Sequence, residues 1–290
     1  MSRSRSIRRS LAAALLAVGA ASVPAPLAGA AEPGFPGDVP DRFRLRLGTV
    51  VGSFDTNFAY STDRGGLGGL VNFENLLGVD SSSNSFRVEG SWRIGRRSSI
   101  EFGYFGFDRS GSRAPQRDFQ FLIFTILAGT AVETDLSSKV ATAAFRYNAY
   151  DNGEVRLYGT AGASYFDLET SLVAGVGVLL PGGVPLGRGF VEAIDVSQVV
   201  PILGVGTEWA VSRRFLTNLY FRGLFLDLGD FRGGISEAGL SGTWFFTRHL
   251  GVGAGVQRVD IRVREFETGS STARGSYSQV GVLLYLEAAF

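Results

Sequence analysis

From Arg42 onward the chain alternates between apolar and polar residues. Phe43, Leu45 and Leu47 alternate with Arg42, Arg44 and Arg46, and Phe86, Val88, Trp92 and Ile94 with Arg87, Glu89, Ser91 and Arg93. Ala141, Ala143, Phe145 and Tyr147 stand against Thr142, Arg146 and Asn148, and Thr217, Leu219 and Phe221 against Asn218, Tyr220 and Arg222. Side chains of a strand point to opposite faces in turn, so a period of two marks strands with one apolar and one polar face. The pattern predicts ten strands, near 42–59, 83–94, 98–109, 131–150, 154–168, 191–210, 215–228, 234–247, 250–264 and 276–290.

The connections alternate in length. Gly95-Arg96-Arg97, Asp151-Asn152-Gly153, Val211–Arg214 and Thr247–Leu250 read as tight turns. The connections near 60–82, 110–130, 169–190 and 265–275 are longer, with 229–233 a short exception. Asp-Asn-Gly is good hairpin chemistry. Short turns at one end and long loops at the other suit an outer-membrane barrel. An even strand count puts both ends of the barrel segment on the short-turn side.

Alternation alone does not say which face lies inside, because a soluble lipocalin-type barrel has the same period. Four features favour lipid outside. Charged and amide side chains share the face opposite the apolar one. Trp92, Trp209 and Trp244 all lie two or three residues before a short turn, on the apolar register, and Phe215 opens its strand at that level. Aromatic rings at one level make a membrane-interface belt. The loops are asymmetric in length, and Phe290 closes the last strand on the apolar face. The expectation is an all-β fold, a transmembrane antiparallel up-and-down β-barrel over 42–290. Ten strands fit best; eight or twelve are alternatives, because 117–130 also parses as a hairpin arm.

Ahead of the barrel, Arg3, Arg5, Arg8 and Arg9 precede the apolar run Leu11–Ala21, and Ala28-Gly29-Ala30 follow. Basic, apolar and small segments in that order predict a secretory signal over 1–30, with a Pro/Gly-rich periplasmic lead-in over 31–41. Removing the signal takes four Arg and no acids. The remaining chain has 28 − 4 = 24 basic and 27 acidic residues, a net charge of −3 instead of +1. The basic balance thus belongs to the signal and gives no support to nucleic-acid binding.

Composition removes other classes. No run of about 20 apolar residues follows the signal, which excludes a polytopic helical membrane protein. With no Cys and one His, disulfide scaffolds and Cys/His zinc sites are excluded. Abundant aliphatic and aromatic residues exclude disorder. No motif calls for a cofactor.

The closing strand VGVLLYLEAAF, the signal and the loop asymmetry resemble the small outer-membrane β-barrels of Gram-negative bacteria, the OmpA/OmpW-like group. The stretch from Asn72 to Arg113 (NFENLLGVDSSSNSFRVEGSWRIGRRSSIEFGYFGFDRSGSR) resembles an uncharacterised subgroup of such barrels. The resemblance implies outer-membrane lipids, lipopolysaccharide and the barrel-assembly machinery as partners. It also implies that Phe290, Leu286 and Leu284 form the assembly signal, with Ala288 departing from the usual bulkier residue.

The candidate lumen lining is Arg44, Arg46, Arg87, Glu89, Arg146, Glu208, Arg222 and Glu287. A wider set adds Arg42, Arg93, Glu101, Arg156, Glu237, Arg258, Asp260 and Arg262. Both signs balance in a narrow barrel, so a salt-bridged plug is favoured over a selectivity lining. Enzymatic outer-membrane barrels place a catalytic His near the outer leaflet; here the single His249 lies in the turn TRHL at the opposite end. A hydrolase would therefore rely on loop carboxylates, with Asp55, Glu74, Asp80, Asp108 and Glu133 as candidates. Two loop segments, 119–127 and 172–186, are unusually apolar. They suit a surface partner, a small hydrophobic solute, or packing on each other above the membrane.

The leading expectation is a non-enzymatic outer-membrane barrel serving envelope integrity, surface interaction or limited small-solute passage. A carboxylate hydrolase and a secreted lipocalin-like binder are the alternatives. Fractionation of expressing cells is expected to leave the protein in the membrane pellet until detergent is added. Release by buffer alone would favour the soluble binder.

Overall fold

A computed structural model describes residues 35, 37, 39–62, 71–121, 124–180, 182–186, 189–228, 231–267 and 271–290. The expected export signal lies outside them.

Ten long strands build the wall: β1 (Phe43–Thr62), β3 (Ser82–Arg93), β4 (Ser98–Arg113), β7 (Val132–Asp151), β8 (Val155–Ala174), β11 (Phe190–Ser212), β12 (Phe215–Leu228), β13 (Phe231–Phe245), β14 (Leu250–Glu267) and β15 (Ser271–Ala289). Each pairs antiparallel with its neighbours, and β15 closes on β1 from Arg44↔Ala289 to Thr62↔Ser271. Closure matters because backbone N–H and C=O groups in hydrocarbon have no water to bond. Near the seam, the Phe290 carbonyl accepts from Arg42 N at 2.9 Å and Phe43 N at 2.8 Å.

The short elements lie at the loop end. β2 (Val71–Asn72) adds to β1, followed by the single helical turn α1 (Phe73–Leu76). β5 (Phe119–Phe121), β6 (Phe124–Ile126), β9 (Val178–Leu180) and β10 (Val184–Pro185) form a separate four-stranded sheet, ordered β10-β9-β6-β5. The two apolar loop segments thus pair with each other, through Thr125↔Leu179 and Ile126↔Val178.

The outward rows carry a continuous apolar belt. Trp209 is 56% exposed and Leu286 63%, and Phe86, Leu219, Phe221, Leu240 and Leu284 are exposed on the same surface. Trp244 faces Phe215 across the β12–β13 pair, and Trp92 and Trp209 are exposed outward. A closed ring of exposed aromatic and aliphatic side chains suits lipid and not water. The belt ends upward at Ser53, Asn84, Asp108, Lys139, Arg258 and Ser278, which continue the same outward rows.

Above that edge the polarity of the two faces inverts. On β14, Gly253, Gly255 and Gln257 face inward and Val252, Ala254 and Val256 outward. A few residues on, Val259 and Ile261 are buried inside while Arg258 and Arg262 are exposed outside. Residues Arg258, Asp260 and Arg262 therefore belong to the outer face above the belt and not to the lumen. Arg42 is exposed ahead of β1. The physical reason is that the strands outrun the bilayer: where the outer face meets water it becomes polar and the interior becomes an ordinary apolar core.

Inward glycines make room for tyrosine rings on the next strand. Gly206 faces Tyr158 across the β8–β11 pair, and a Cβ there would sit 2.4 Å from the Tyr158 ring. Gly253 faces Tyr285 in the same way, at 2.2 Å. Gly206→Val is expected to lower folding stability by about 1–3 kcal/mol through overpacking. Gly159→Val, where the nearest atom would be 3.8 Å away, should be close to neutral. Urea midpoints of heat-modifiable gel mobility compare the two.

Candidate functional site

The barrel interior is the candidate site, and it is organised in layers. The eight lumen candidates Arg44, Arg46, Arg87, Glu89, Arg146, Glu208, Arg222 and Glu287 all lie on inward registers in the turn-side half. Arg93, Glu101, Arg156 and Glu237 join them, with Asp41 from the lead-in and Asp151 from the end of β7.

At the turn-side end, Asp41 bridges three guanidinium groups: Arg44 Nη2 at 2.9 Å, Arg93 Nη1 at 2.9 Å and Arg156 Nη1 at 2.5 Å. Arg156 also donates to Asp151 at 2.7 Å and lies over the Phe35 ring, 3.9 Å from its centre. Phe35 and Val39 are buried against Leu216, Phe245 and Ala289. Residues placed in a periplasmic lead-in by sequence thus enter the barrel end and stopper it. Arg44 holds this stopper through the Phe35 carbonyl as well.

The next layer contains three clusters. In the first, Arg146 pairs with Glu208 at 2.9 Å and Glu101 at 3.3 Å, and stacks on Tyr158 at 3.6 Å. Tyr158 in turn donates to Asn218 at 2.8 Å. In the second, Glu237 accepts from Arg222 and from the Tyr220 hydroxyl, both at 2.7 Å, and from Arg87. Arg87 also meets Glu89 at 2.6 Å. In the third, Arg46 pairs with Glu287 at 2.9 Å, and Thr243 donates to Glu287 at 2.7 Å.

The charges in these layers balance. Arg44, Arg46, Arg87, Arg93, Arg146, Arg156 and Arg222 oppose Asp41, Glu89, Glu101, Asp151, Glu208, Glu237 and Glu287, seven of each sign. Between the clusters lies a cavity of about 80 Å³, lined by residues that include Arg44, Arg46, Arg146, Glu208, Arg222 and Glu287. Its polar walls and size suit a few ordered waters, not a solute path.

Above the charges the interior is apolar. Phe54, Phe107 and Tyr277 pack together, with ring centres 5.0–5.8 Å apart. Phe105, Leu136, Val140, Phe166, Val200 and Ile202 complete this core with residues of β13 and β14. The polar inward rows of the lower half do not continue to this height, where the inward positions are apolar.

At the loop end the Arg109 side chain is fully buried, beside Glu74 at 2.8 Å. Arg109 also donates to Thr56 Oγ1 at 2.5 Å and the Asp80 carbonyl at 3.0 Å, and lies over the Phe54 ring. Arg109 shares its parity on β4 with Glu101, which turns it inward. Over it sits a cap of Val71, Phe73, Leu77, Phe119, Phe121, Ile126 and Val178, seated on the inward tops of β7 and β8 at Val132, Leu172 and Ala174.

The loop carboxylates do not converge. Glu74 is committed to Arg109 and to Thr56 N. Asp55 accepts from Asn57 and Asn72 outside the wall. Asp108 and Glu133 are exposed on outward registers of β4 and β7. No group of three or more His, Asp or Glu placed to hold a metal ion occurs among the described residues. His249 sits in the β13–β14 turn, with Nδ1 2.8 Å from the Ala289 carbonyl and its ring against Phe290.

No protein-family model and no curated protein matches this sequence. Among solved structures the chain is similar in fold to the outer membrane protease OmpT of Escherichia coli. The TM-score is 0.51 and the identity 12%, over 87% of this chain and 97% of that one. The outer membrane protein OprG of Pseudomonas aeruginosa aligns at TM-score 0.37 and 11% identity, over 87% of this chain and 96% of that one. What this chain shares with OmpT is the fold, a closed antiparallel β-barrel.

Buried ions fix the cost of disturbing this interior. Removing one partner leaves its neighbours charged and unpaired, which costs about 3–5 kcal/mol. Glu237→Ala leaves Arg87 and Arg222 to share the single carboxylate of Glu89 and should lose stability on that scale. Arg258→Ala, whose partner Asp260 lies on the outer surface, should leave the unfolding midpoint unchanged. Urea titration in detergent micelles measures both.

Proposed function

We propose that this chain is a sealed outer-membrane barrel that conducts no solute and displays a structured cap at the cell surface, serving surface interaction and envelope integrity. One observation carries the reading: the interior is occupied at every level. Phe35 and Val39 fill the turn-side end, fourteen paired charges the lower half, the Phe54–Phe107–Tyr277 cluster the upper half, and Arg109 with the cap the mouth. A narrow ten-strand barrel has little lumen left once its inward side chains are placed.

The apolar loop segments 119–127 and 172–186 support the same reading. Their large side chains, Phe119, Phe121, Ile126, Leu172 and Val178, are spent on the cap and do not line an open mouth. What remains for an external partner is the outer surface of the cap and the polar strand extensions above the belt. A non-enzymatic role fits the dispersal of the carboxylates and the place of His249 at the far end.

Planar-bilayer recording tests the proposal. Conductance is expected to stay near background with the full chain inserted. A stable, large single-channel conductance would overturn it in favour of a pore.

A further inference from the structure

Above the belt the outer face differs from one side of the barrel to the other. On β4, β7 and β8 the outward positions carry Asp108, Glu133, Asp135 and Glu169, all exposed, with Ser110, Ser137 and Ser171 between them in register. Lys139, at the belt edge opposite Asp167, is the one basic residue on these outward positions. On β14 and β15 the sign is reversed. Arg258, Arg262 and Arg274 are exposed outward, and Asp260 is the one acid beside them among the described side chains of these two strands. The two faces lie on opposite sides: among the ten wall strands β14 is the fifth from β7 in either direction. They also start at one height, since Lys139 and Arg258 are each the first charged outward residue above the belt.

The lipid-facing rows beneath these faces complement each other in shape. Under the acidic face, Ala141 and Ala143 of β7 lie beside Tyr165 and Ala163 of β8, and Ala161 follows outward on β8. This floor of small residues runs between Phe102 and Tyr104 on β4 and Leu203 and Val205 on β11, all exposed outward, and Phe145 closes its lower end. It is a shallow trough. Under the basic face, Val256, Val280, Val282 and Leu284 stand out as a ridge, each about half exposed.

Charge and shape together select the occupant. Copies inserted in one membrane point the same way, so equal heights on neighbouring barrels come level. Two acidic faces repel, as do two basic ones, which disfavours a two-fold pair through either face. An acidic face against a basic one attracts, and small residues let a neighbouring wall approach closely in lipid. We propose that the β4–β7–β8 face is a docking surface for the β14–β15 face of a second copy of this chain. Such a contact is heterologous, and with the two faces on opposite sides the copies extend into open rows and do not close into a ring. The rows go beyond the surface role proposed above: a barrel that conducts would still carry both faces.

Cysteine cross-linking tests this, because the chain has no Cys of its own. Ser137→Cys and Ser278→Cys place one thiol on each outer face, on opposite sides of the barrel, so the two cannot join within one chain. Heat-modifiable mobility identifies folded protein. The doubly substituted chain, oxidised in outer membranes isolated from expressing cells, is expected to give a ladder of dimers, trimers and longer rows on non-reducing gels. With single variants mixed, the unlike pair is expected to couple about fivefold more than either like pair, the ratio that about 1 kcal/mol of charge pairing gives. Arg258→Glu with Arg262→Glu should abolish that excess, and adding Asp135→Arg with Glu169→Arg should restore it. Absence of the ladder, equal coupling of like and unlike pairs, or an excess that ignores either reversal would overturn the contact. So would a ladder present in outer membranes but lost in phospholipid vesicles, which would assign the two faces to bridging by lipopolysaccharide.

Discussion

Backbone amide and carbonyl groups cannot be left unpaired in hydrocarbon, and the rest of this structure follows from that constraint. It requires the sheet to close, which the β15–β1 seam does along nineteen paired positions, Arg44–Thr62. Closure with ten strands sets a narrow interior. Side chains pointing inward then have nowhere to go but against each other. Polar ones must neutralise and hydrogen-bond within the lumen, because an unpaired ion there would cost several kcal/mol.

The same wall passes through two media. In the lower half lipid lies outside, so the outer rows are apolar and the polar residues turn inward to form the Arg–Glu layers. Above Val256 on β14 and Val280 on β15 the outer rows meet water. There the rows exchange roles: Arg258 and Asp260 turn out, and Val259, Ile261 and Tyr277 pack inside. The lipid-facing and soluble-type readings of the alternation are each right for part of one strand. The stack that results is a charged plug under an aromatic core under a roofed mouth.

Period-two alternation was enough to read ten strands and their turns, and the direction of the side chains at the height of the apolar belt. The strand limits differ from the expected ones by a few residues, mostly at the loop ends, where β4 runs to Arg113 and β8 to Ala174. The eight lumen candidates could be read because parity fixes the face and the belt fixes the sign. Arg258, Asp260 and Arg262 were misplaced because parity was inferred from polarity alone. Polarity reports the medium as well as the face, and the medium changes along the strand.

The sequence by itself determined what depends on near neighbours in the chain: strand periodicity, turn chemistry, the aromatic level and the composition of each face. Tertiary structure decided what depends on residues far apart meeting. Glu237 finds Arg87 from 150 positions away, Phe35 finds Arg156, and the two apolar loops find each other through Ile126 and Val178. It also decided where pairing stops, since the β11–β12 ladder begins only at Leu203↔Gly223, a register that neither strand encodes alone. Local pattern fixes the orientation of a side chain, but its partner is set by the shear and closure of the whole barrel.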